Sequence, residues 1–398
     1  MTSVSSSPVL LSACSKVLLK MVQSESWLTN VEKNTVLKMA LRETFYKQYC
    51  GGTNRAEVKQ TIADLQKLGF QGVILEYALE VLHDAKDANE AKDVEVWRNA
   101  LMSSVDMVNP GDFLGLKWSG MGSHALQRLK NSESPSFLMN NVMREVCDAA
   151  AAKGVKLLPS AEETTTTPTI DAWTLKLQRE YNKGPSGSVL YNTYQTYLKR
   201  APAQIANHLA DAQEKGYTLG VKLVRGAYLA TEPRHMIHDT IEDTHAAYDN
   251  LTAACLKRQW NSTLSPAASM TNPSFPPINL VLATHNAASV RAAQAIRTQQ
   301  IRDNEPLVPL AYAQLKGMAD EVSCELLQAS RAAPQDGQVV DDVPRVFKCT
   351  PWGSLSDNLN YLLRRAAENK DAATRTKESR NAMGLEMRRR FRGVFGMA

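Results

Sequence analysis

Two adjacent arginines near the end of the chain have the types and spacing that point most directly to chemistry. Arg364 and Arg365 lie in a helix-compatible stretch, with Tyr361 one turn before them and Glu368 one turn after them. The planar guanidinium of arginine can hold both oxygens of a carboxylate, and neighbouring side chains on a helix point about 100° apart. The pair could therefore hold a small anion from two directions, although alone it is equally typical of a solvated helix surface.

The elements that must position these side chains alternate between strand and helix along the chain. The predicted strands are residues 72–75, 113–117, 155–158, 188–192, 218–224, 279–283, 310–314 and 345–349. The predicted helices among them are residues 140–152, 170–181, 202–215, 240–258, 289–298 and 321–329. This alternation predicts an α/β fold of the (β/α)8 or TIM-like barrel type, with a doubly wound sheet as the alternative.

The ends of the chain differ in pattern from its middle. We predict a leader and helical extension in residues 1–54 and a barrel with C-terminal helices in residues 55–398. The first 24 residues contain no acid, which is typical of an organelle transit peptide and also of a disordered leader. Residues 261–277 are rich in Ser, Pro, Ala and Asn and predict a loop insertion, and residues 371–392 predict a charged, exposed helix.

Composition excludes several classes of protein. Hydrophobic residues make up 43% and charged residues 22% of the 398 residues, as in ordinary globular proteins with a sizeable core. A net charge of +5 over this length does not favour nucleic-acid binding. The six cysteines show no CxxC spacing, which favours free thiols in a reduced compartment. No apolar run approaches the 18 or so residues that span a bilayer.

Polar side chains collect where the predicted strands end, which is where barrel enzymes hold their substrates. They are Lys117, Glu162, Glu163, Asn192, Lys222, Arg225, Thr284, His285, Asn286 and Gln314. Each could be an ordinary strand-end cap, but their recurrence in strand after strand is difficult to treat as independent. Together they predict a cationic pocket with few acids, suited to an anionic substrate, an anionic cofactor, or both.

The stretch after the fifth predicted strand is suited to a phosphate group. Gly226 and Ala227 leave the backbone uncovered next to Arg225, so their N–H groups and the guanidinium would suit a pyrophosphate, and Tyr228 would supply a flat wall. No GxGxxG or GxxxxGK pattern follows a predicted strand, and no GxSxG arrangement is present. One further polar cluster lacks a carboxylate at the spacing of a metal site, so no metal is predicted; it consists of His235, His238, Asp239 and His245.

Five motifs in order resemble the proline dehydrogenase family, and its eukaryotic mitochondrial branch in particular. They are residues 191–195 (YNTYQ) with 197–199 (YLK), 222–228 (KLVRGAY), 283–286 (ATHN), 314–318 (QLKGM) and 361–369 (YLLRRAAEN). The resemblance implies a distorted (β/α)8 barrel with non-covalent FAD. It implies oxidation of L-proline to Δ1-pyrroline-5-carboxylate, with ubiquinone as electron acceptor, in the mitochondrial matrix at the inner membrane.

The resemblance also implies roles for individual residues. Lys117, Arg364 and Arg365 would bind the substrate carboxylate, and Lys222 would lie near the reactive nitrogen of the flavin. Tyr361 and Leu315 would pack on the proline ring, and Glu368 would orient the arginine pair. The implied cofactor contacts are Asn192, Lys222, Val224, Arg225, Gly226, Ala227, Tyr228, Thr284, His285 and Asn286.

Two positions depart from the family pattern. Many members carry Asp-Ala-Glu after the third strand, where this chain has Ser160-Ala161-Glu162, so the role of the missing carboxylate would pass to Glu162 or Glu163. Proline enzymes commonly carry tyrosine, and hydroxyproline enzymes serine, at the position occupied here by Cys349. We therefore predict proline as the preferred substrate, with measurable activity on hydroxyproline.

Overall fold

The computed structural model describes residues 16–77, 89–184, 187–331, 343–368 and 384, apart from residues 23, 25, 32 and 273, and does not describe the side chains of residues 331 and 364–368. The predicted helix at residues 371–392 lies outside the described residues except for residue 384, and the start of the predicted leader lies outside them as well. The chain divides into two compact units, Gly51–Trp352 and Met1–Cys50 with Gly353–Ala398. The domain boundary placed between residues 54 and 55 stays a prediction.

The larger unit alternates strands and helices, as the sequence predicts. Its strands are β1 (Gly72–Tyr77), β2 (Phe113–Leu116), β3 (Lys156–Pro159), β4 (Asn192–Gln195), β5 (Leu219–Val224), β6 (Ile278–Ala283), β7 (Leu310–Leu315) and β8 (Val346–Trp352). Helix α1 (Thr35–Leu41) belongs to the smaller unit. The α-helices of the larger unit, among the described residues, are α2 (Arg55–Lys67), α3 (Glu90–Met107), α4 (Ser123–Lys130), α5 (Phe137–Lys153), α6 (Thr167–Tyr181), α7 (Ala201–Lys215), α8 (Ile241–Lys257), α9 (Ala287–Arg302) and α10 (Asp320–Arg331).

All eight strands are parallel and follow the order β3-β2-β1-β8-β7-β6-β5-β4 in one sheet. In the part of the chain that the structure describes, one parallel bridge, between Leu157 of β3 and Leu190 two residues before β4, joins the two outer strands. There the Leu157 N–H donates to the Val189 carbonyl at 2.7 Å, and the Tyr191 N–H donates to the Leu157 carbonyl at 2.9 Å. The sheet is therefore a nearly closed barrel, which confirms the (β/α)8 prediction and excludes the doubly wound alternative.

Side chains alternate between the two faces of the barrel wall because a strand has a period of two. On β5, Val221 and Leu223 belong to the large apolar cluster between sheet and helices. A second cluster fills the barrel interior and includes Val281, Ala311 and Phe347. Lys222 stands between the two outward-facing residues of β5 and therefore faces the interior.

The fourth and eighth strands differ most from their predicted positions. The fourth was predicted at residues 188–192 and lies instead at Asn192–Gln195. The Asn182 Oδ1 accepts the N–H groups of Val189 and Leu190, so these two groups donate to no strand, and among the described residues Leu190 makes only the isolated bridge with Leu157. The eighth was predicted to end at Cys349 but continues to Trp352. Pro351 is accommodated there with its carbonyl accepting the Gly51 N–H at 2.7 Å. The loop predicted at residues 261–277 is confirmed, since its described residues form neither helix nor strand.

The smaller unit is helical, as the sequence predicts for the extension before the barrel. Helix α1 leads into a π-helical turn at Arg42–Tyr46, and α11 spans Leu355–Glu368. The Tyr46 hydroxyl donates to the Gly353 carbonyl at 2.9 Å. The buried core of this unit consists of Val31, Leu41, Tyr46, Cys50, Leu355 and Leu359. Within the part of the chain that the structure describes, no helix is both long and apolar enough to cross a membrane.

Candidate active site

Two lysines occupy the C-terminal half of the barrel wall. Lys222 is half-buried on β5, in register with Thr193 on β4 and Val281 on β6. Lys117 directly follows β2, and its carbonyl accepts the indole N–H of Trp97 at 3.0 Å. By the alternation from Phe113, which lies in the interior cluster, Lys117 takes an interior-facing position. The structure thus places the two predicted lysines on the same side of the wall, at the strand ends.

Arg225 is fixed by side chains from three places, which are α8, the residue after β6, and α9. Its Nε donates to His245 Nδ1 at 3.0 Å, its Nη1 to Thr284 Oγ1 at 2.7 Å and its Nη2 to Ser289 Oγ at 2.8 Å. The guanidinium also lies 4.4 Å from the ring centroid of Tyr248. A cation held this way keeps its position without a ligand, so its charge is pre-organised at the end of β5.

The loop after β5 presents main-chain donors next to Arg225. Gly226 has a φ of 147°, and an added Cβ there would lie 2.1 Å from the ring of Tyr197, so only glycine fits. Among the described residues, no acceptor pairs with the N–H groups of Gly226 and Ala227. Tyr228 begins a turn, its carbonyl accepting the Glu232 N–H at 2.9 Å. Two successive donors beside a fixed arginine form a suitable cradle for an anion.

The three predicted residues after β6 support one another through hydrogen bonds. Thr284 Oγ1 accepts from Arg225 and from the Asn286 N–H at 3.1 Å. Asn286 caps α9, its side chain accepting the Ser289 N–H. His285 Nε2 accepts the Leu315 N–H at 3.1 Å, which ties the end of β6 to the end of β7.

A carboxylate that sequence reasoning missed lies in the barrel interior. Glu76 stands two residues beyond Ile74 of the interior cluster, and its side chain lies against Gly115, where an added Cβ would meet it at 3.4–3.6 Å. The Cys349 thiol points to Glu76 Oε2, with 3.9 Å between the two atoms. Because the first strand was predicted to end at Leu75, Glu76 was not considered part of the wall.

The ends of β3 and β4 place their polar residues differently from the prediction. Asn192 faces the helices, where its amide donates to Asp171 Oδ1 at 2.8 Å and burial raises the pKa of that aspartate to about 6. Gln195, three residues on, takes the interior-facing position and donates to the Glu162 carbonyl at 2.8 Å. Asn192 was singled out as the end of the fourth predicted strand, which was placed three residues too early, and by the family resemblance; its role at the cofactor stays a prediction.

The Glu162 carboxylate, one of the two expected substitutes at the Ser160 position, accepts the Ser119 hydroxyl at 2.6 Å. On the smaller unit, Tyr361 is a buried side chain of α11. The side chains of Arg364, Arg365 and Glu368 lie outside the described residues, although the backbone of all three is helical as predicted. Their roles stay predictions.

A parallel eight-stranded barrel with basic and amide side chains at the C-terminal strand ends is the kind of barrel that holds small molecules at that face. A family model described as proline dehydrogenase matches residues 58–378 of the chain. The chain therefore belongs to the proline dehydrogenase family, which is a family of oxidoreductases.

Relatives with this family name come from distant eukaryotes. The probable mitochondrial proline dehydrogenase of Schizosaccharomyces pombe is 28% identical over 405 residues, covering 88% of this chain and 80% of the relative. Mitochondrial proline dehydrogenase 1 of Caenorhabditis elegans is 29% identical, covering 88% of this chain and 54% of the relative. Hydroxyproline dehydrogenase of Bos taurus is 26% identical, covering 93% and 86%.

A solved structure of proline utilization A from Bdellovibrio bacteriovorus has a similar fold. The TM-score is 0.68 at 16% identity, and the match covers 91% of this chain and 37% of that one. The chain thus spans little more than a third of the length of the solved structure, and the likeness concerns the fold.

Proposed function

We propose that the protein oxidises L-proline to Δ1-pyrroline-5-carboxylate, with FAD as its cofactor. The observation that carries the proposal is the family match over residues 58–378. The interior-facing lysines at the barrel's C-terminal strand ends support it, because a small carboxylate substrate requires cations where barrel enzymes bind their substrates. When bound, FAD would supply the acceptor for the hydride that proline loses.

In this proposal the side chains of the protein bind and orient the substrate. Lys117, Arg364 and Arg365 hold the carboxylate, which fixes the ring and excludes water from its polar end. Leu315 and Tyr361 pack on the ring faces, and Glu368 orients the two arginines. Cys349 borders the ring edge, in contact with Glu76.

The residues present fit the chemistry of FAD. The fixed Arg225 and the N–H groups of Gly226 and Ala227 suit the pyrophosphate, and Thr284, His285 and Asn286 stiffen the neighbouring strand end. Lys222 faces the interior, where a positive charge would stabilise electron density on the flavin ring. Val224, Tyr228 and Asn192 complete the proposed contact set, although the interior-facing position of Gln195 makes it a better candidate than Asn192.

A second candidate function is oxidation of hydroxyproline. It rests on the short Cys349 side chain, which leaves space at the proposed ring edge, and on the similarity to the Bos taurus relative. For the electron acceptor and place of action we propose ubiquinone and the mitochondrial matrix at the inner membrane. The names of the relatives support a mitochondrial location. A peripheral contact between the membrane and the basic C-terminal stretch, residues 388–392 (RRRFR), is part of the same proposal.

An absorbance titration tests the enzymatic proposal against a non-catalytic barrel that merely binds a ligand. Protein reconstituted with FAD and kept without oxygen should lose its visible flavin absorbance on addition of L-proline, with D-proline as the matched control. Hydroxyproline in a parallel titration separates the two candidate substrates. Persistence of the flavin colour with both L-amino acids, in a folded preparation that retains FAD, would mean that the barrel is not this enzyme.

A further inference from the structure

A buried lysine outside the barrel interior holds the loop that follows β7. Lys348 is 2% exposed and faces the helices from β8. Its Nζ donates to the Met318 carbonyl at 3.1 Å and to Asp320 Oδ1 at 2.7 Å. The ammonium also lies 5.6 Å from the ring centroid of Phe70. A buried ammonium is retained at such a place only when these bonds offset its desolvation.

The segment that Lys348 holds has an unfavourable backbone. Gly317 has a φ of 74° and Ala319 a φ of 49°. Glycine adopts this left-handed region without steric cost, but alanine does so rarely. A non-glycine residue stays there when the surrounding structure determines its conformation, and Lys348 bonds the residues on both sides of Ala319.

The same loop continues directly from a residue of the proposed substrate site. Leu315 ends β7, its carbonyl accepts the Met318 N–H at 3.1 Å, and its N–H donates to His285. The Lys316 N–H donates to the carbonyl of Cys349, the neighbour of Lys348, at 2.9 Å. Movement of this loop would therefore move Leu315.

We propose that Lys348 is a positioning residue, which fixes the Lys316–Asp320 loop and thereby the place of Leu315 against the substrate ring. The part concerning the substrate rests on the proposed function. Lys348 does not touch the substrate in this account. Lys348 lies on the outer face of the barrel wall, and its two hydrogen bonds restrict the loop and, through the loop, the position of Leu315 in the interior.

The test compares Lys348→Met, Asp320→Asn and Lys348→Met combined with Ala319→Gly, with Lys257→Met on the exposed end of α8 as control. Methionine keeps the length and buried packing of the lysine but removes both hydrogen bonds. We expect Lys348→Met to raise the proline KM about tenfold with kcat changed less than about twofold, since a mispositioned ring contact weakens binding more than chemistry. Asp320→Asn should shift KM in the same direction by less.

Two further readouts separate positioning from simple packing. Hydrogen exchange of residues 315–320, measured without substrate, should speed up in Lys348→Met and return towards wild type when Ala319→Gly is added, because glycine needs no external support at that φ. The KM should recover with it. Wild-type exchange in Lys348→Met, or a lowered melting temperature with no recovery from Ala319→Gly, would overturn the proposal. If proline proves not to be the substrate, the exchange measurement still decides whether Lys348 orders the loop.

Discussion

At the scale of single residues, the cations of the barrel are held in different ways. Arg225 is locked by three side chains, while Lys222 and Lys117 extend from the wall itself. The residue types at these positions could be read from the sequence. Gln195 and Glu76 could not, because one lies in a strand that was predicted three residues early and the other one residue past a predicted strand end.

The arginine pair gives the first prediction at this scale. Replacing either Arg364 or Arg365 by Met should raise the proline KM by thirtyfold or more while FAD remains bound, since loss of one partner from a desolvated charge pair costs about 2–5 kcal/mol. Steady-state kinetics and the flavin content of the purified variants measure both effects. Arg302→Met, on the exposed end of α9, is the control. An unchanged KM in both arginine variants would show that these residues lie on an ordinary surface.

The second prediction concerns substrate choice at Cys349. A tyrosine there would fill the space beside the ring edge, so Cys349→Tyr should lower the kcat/KM ratio of hydroxyproline to proline. The expected change corresponds to about 1–3 kcal/mol of discrimination. Cys324→Tyr, at an exposed cysteine of α10, should leave the ratio unchanged. Equal ratios in wild type and Cys349→Tyr would show that Cys349 does not line the substrate pocket.

At the scale of elements, the strand and helix pattern was predictable because each buried strand is an apolar run bounded by turn residues. The fourth strand was the exception. Residues 188–192 have the stronger β-type pattern, yet the ladder forms at Asn192–Gln195, whose polar side chains are buried by partners far away in sequence. One of these is Pro159, whose carbonyl accepts the Thr193 hydroxyl at 2.7 Å. Such partners are a product of the fold and leave no local signal.

Close contact between β5 and the residues just before β4 gives the prediction at this scale. An added Cβ at Gly220 would lie 2.3 Å from the Leu190 carbonyl oxygen and 2.8 Å from Tyr191 Cα, both of them backbone atoms. Gly220→Ala should therefore destabilise the protein by about 1–3 kcal/mol, the usual cost of overpacking. Gly184→Ala, where nothing lies within 4 Å, is the control. Thermal melts of the two variants should differ clearly, and equal melting temperatures would contradict the described strand contact.

At the scale of the whole molecule, a buried carboxyl group couples folding to pH. Asp112 directly precedes β2, at the N-terminal ends of the strands. Its carboxylate accepts the Val73 N–H at 2.9 Å and the Asn109 N–H at 2.8 Å. Burial raises the pKa of Asp112 to about 6. Because the unfolded chain releases this proton near pH 4, the folded state binds more protons between those values, and stability falls as the pH rises through about 6.

Removing the titrating group tests this coupling. Between pH 4 and pH 7, wild type should lose up to about 3 kcal/mol of unfolding free energy relative to Asp112→Asn, which cannot titrate. Denaturant unfolding at a series of pH values measures the difference. The exposed Asp303 serves as control, since Asp303→Asn should track wild type. A difference between wild type and Asp112→Asn that does not vary with pH would mean that Asp112 is ionised throughout.

The weak pairing between β3 and β4 has a consequence for how the protein aggregates and unfolds on heating. Every other neighbouring pair of strands shares at least three register pairs, whereas in the described part of the chain β3 is bridged only to Leu190, two residues before β4. If the barrel opens between β3 and β4, both strands become exposed sheet edges that can pair with another molecule. Mild heating should then produce aggregates before helical structure is lost, and light scattering recorded together with circular dichroism would reveal the order of the two events.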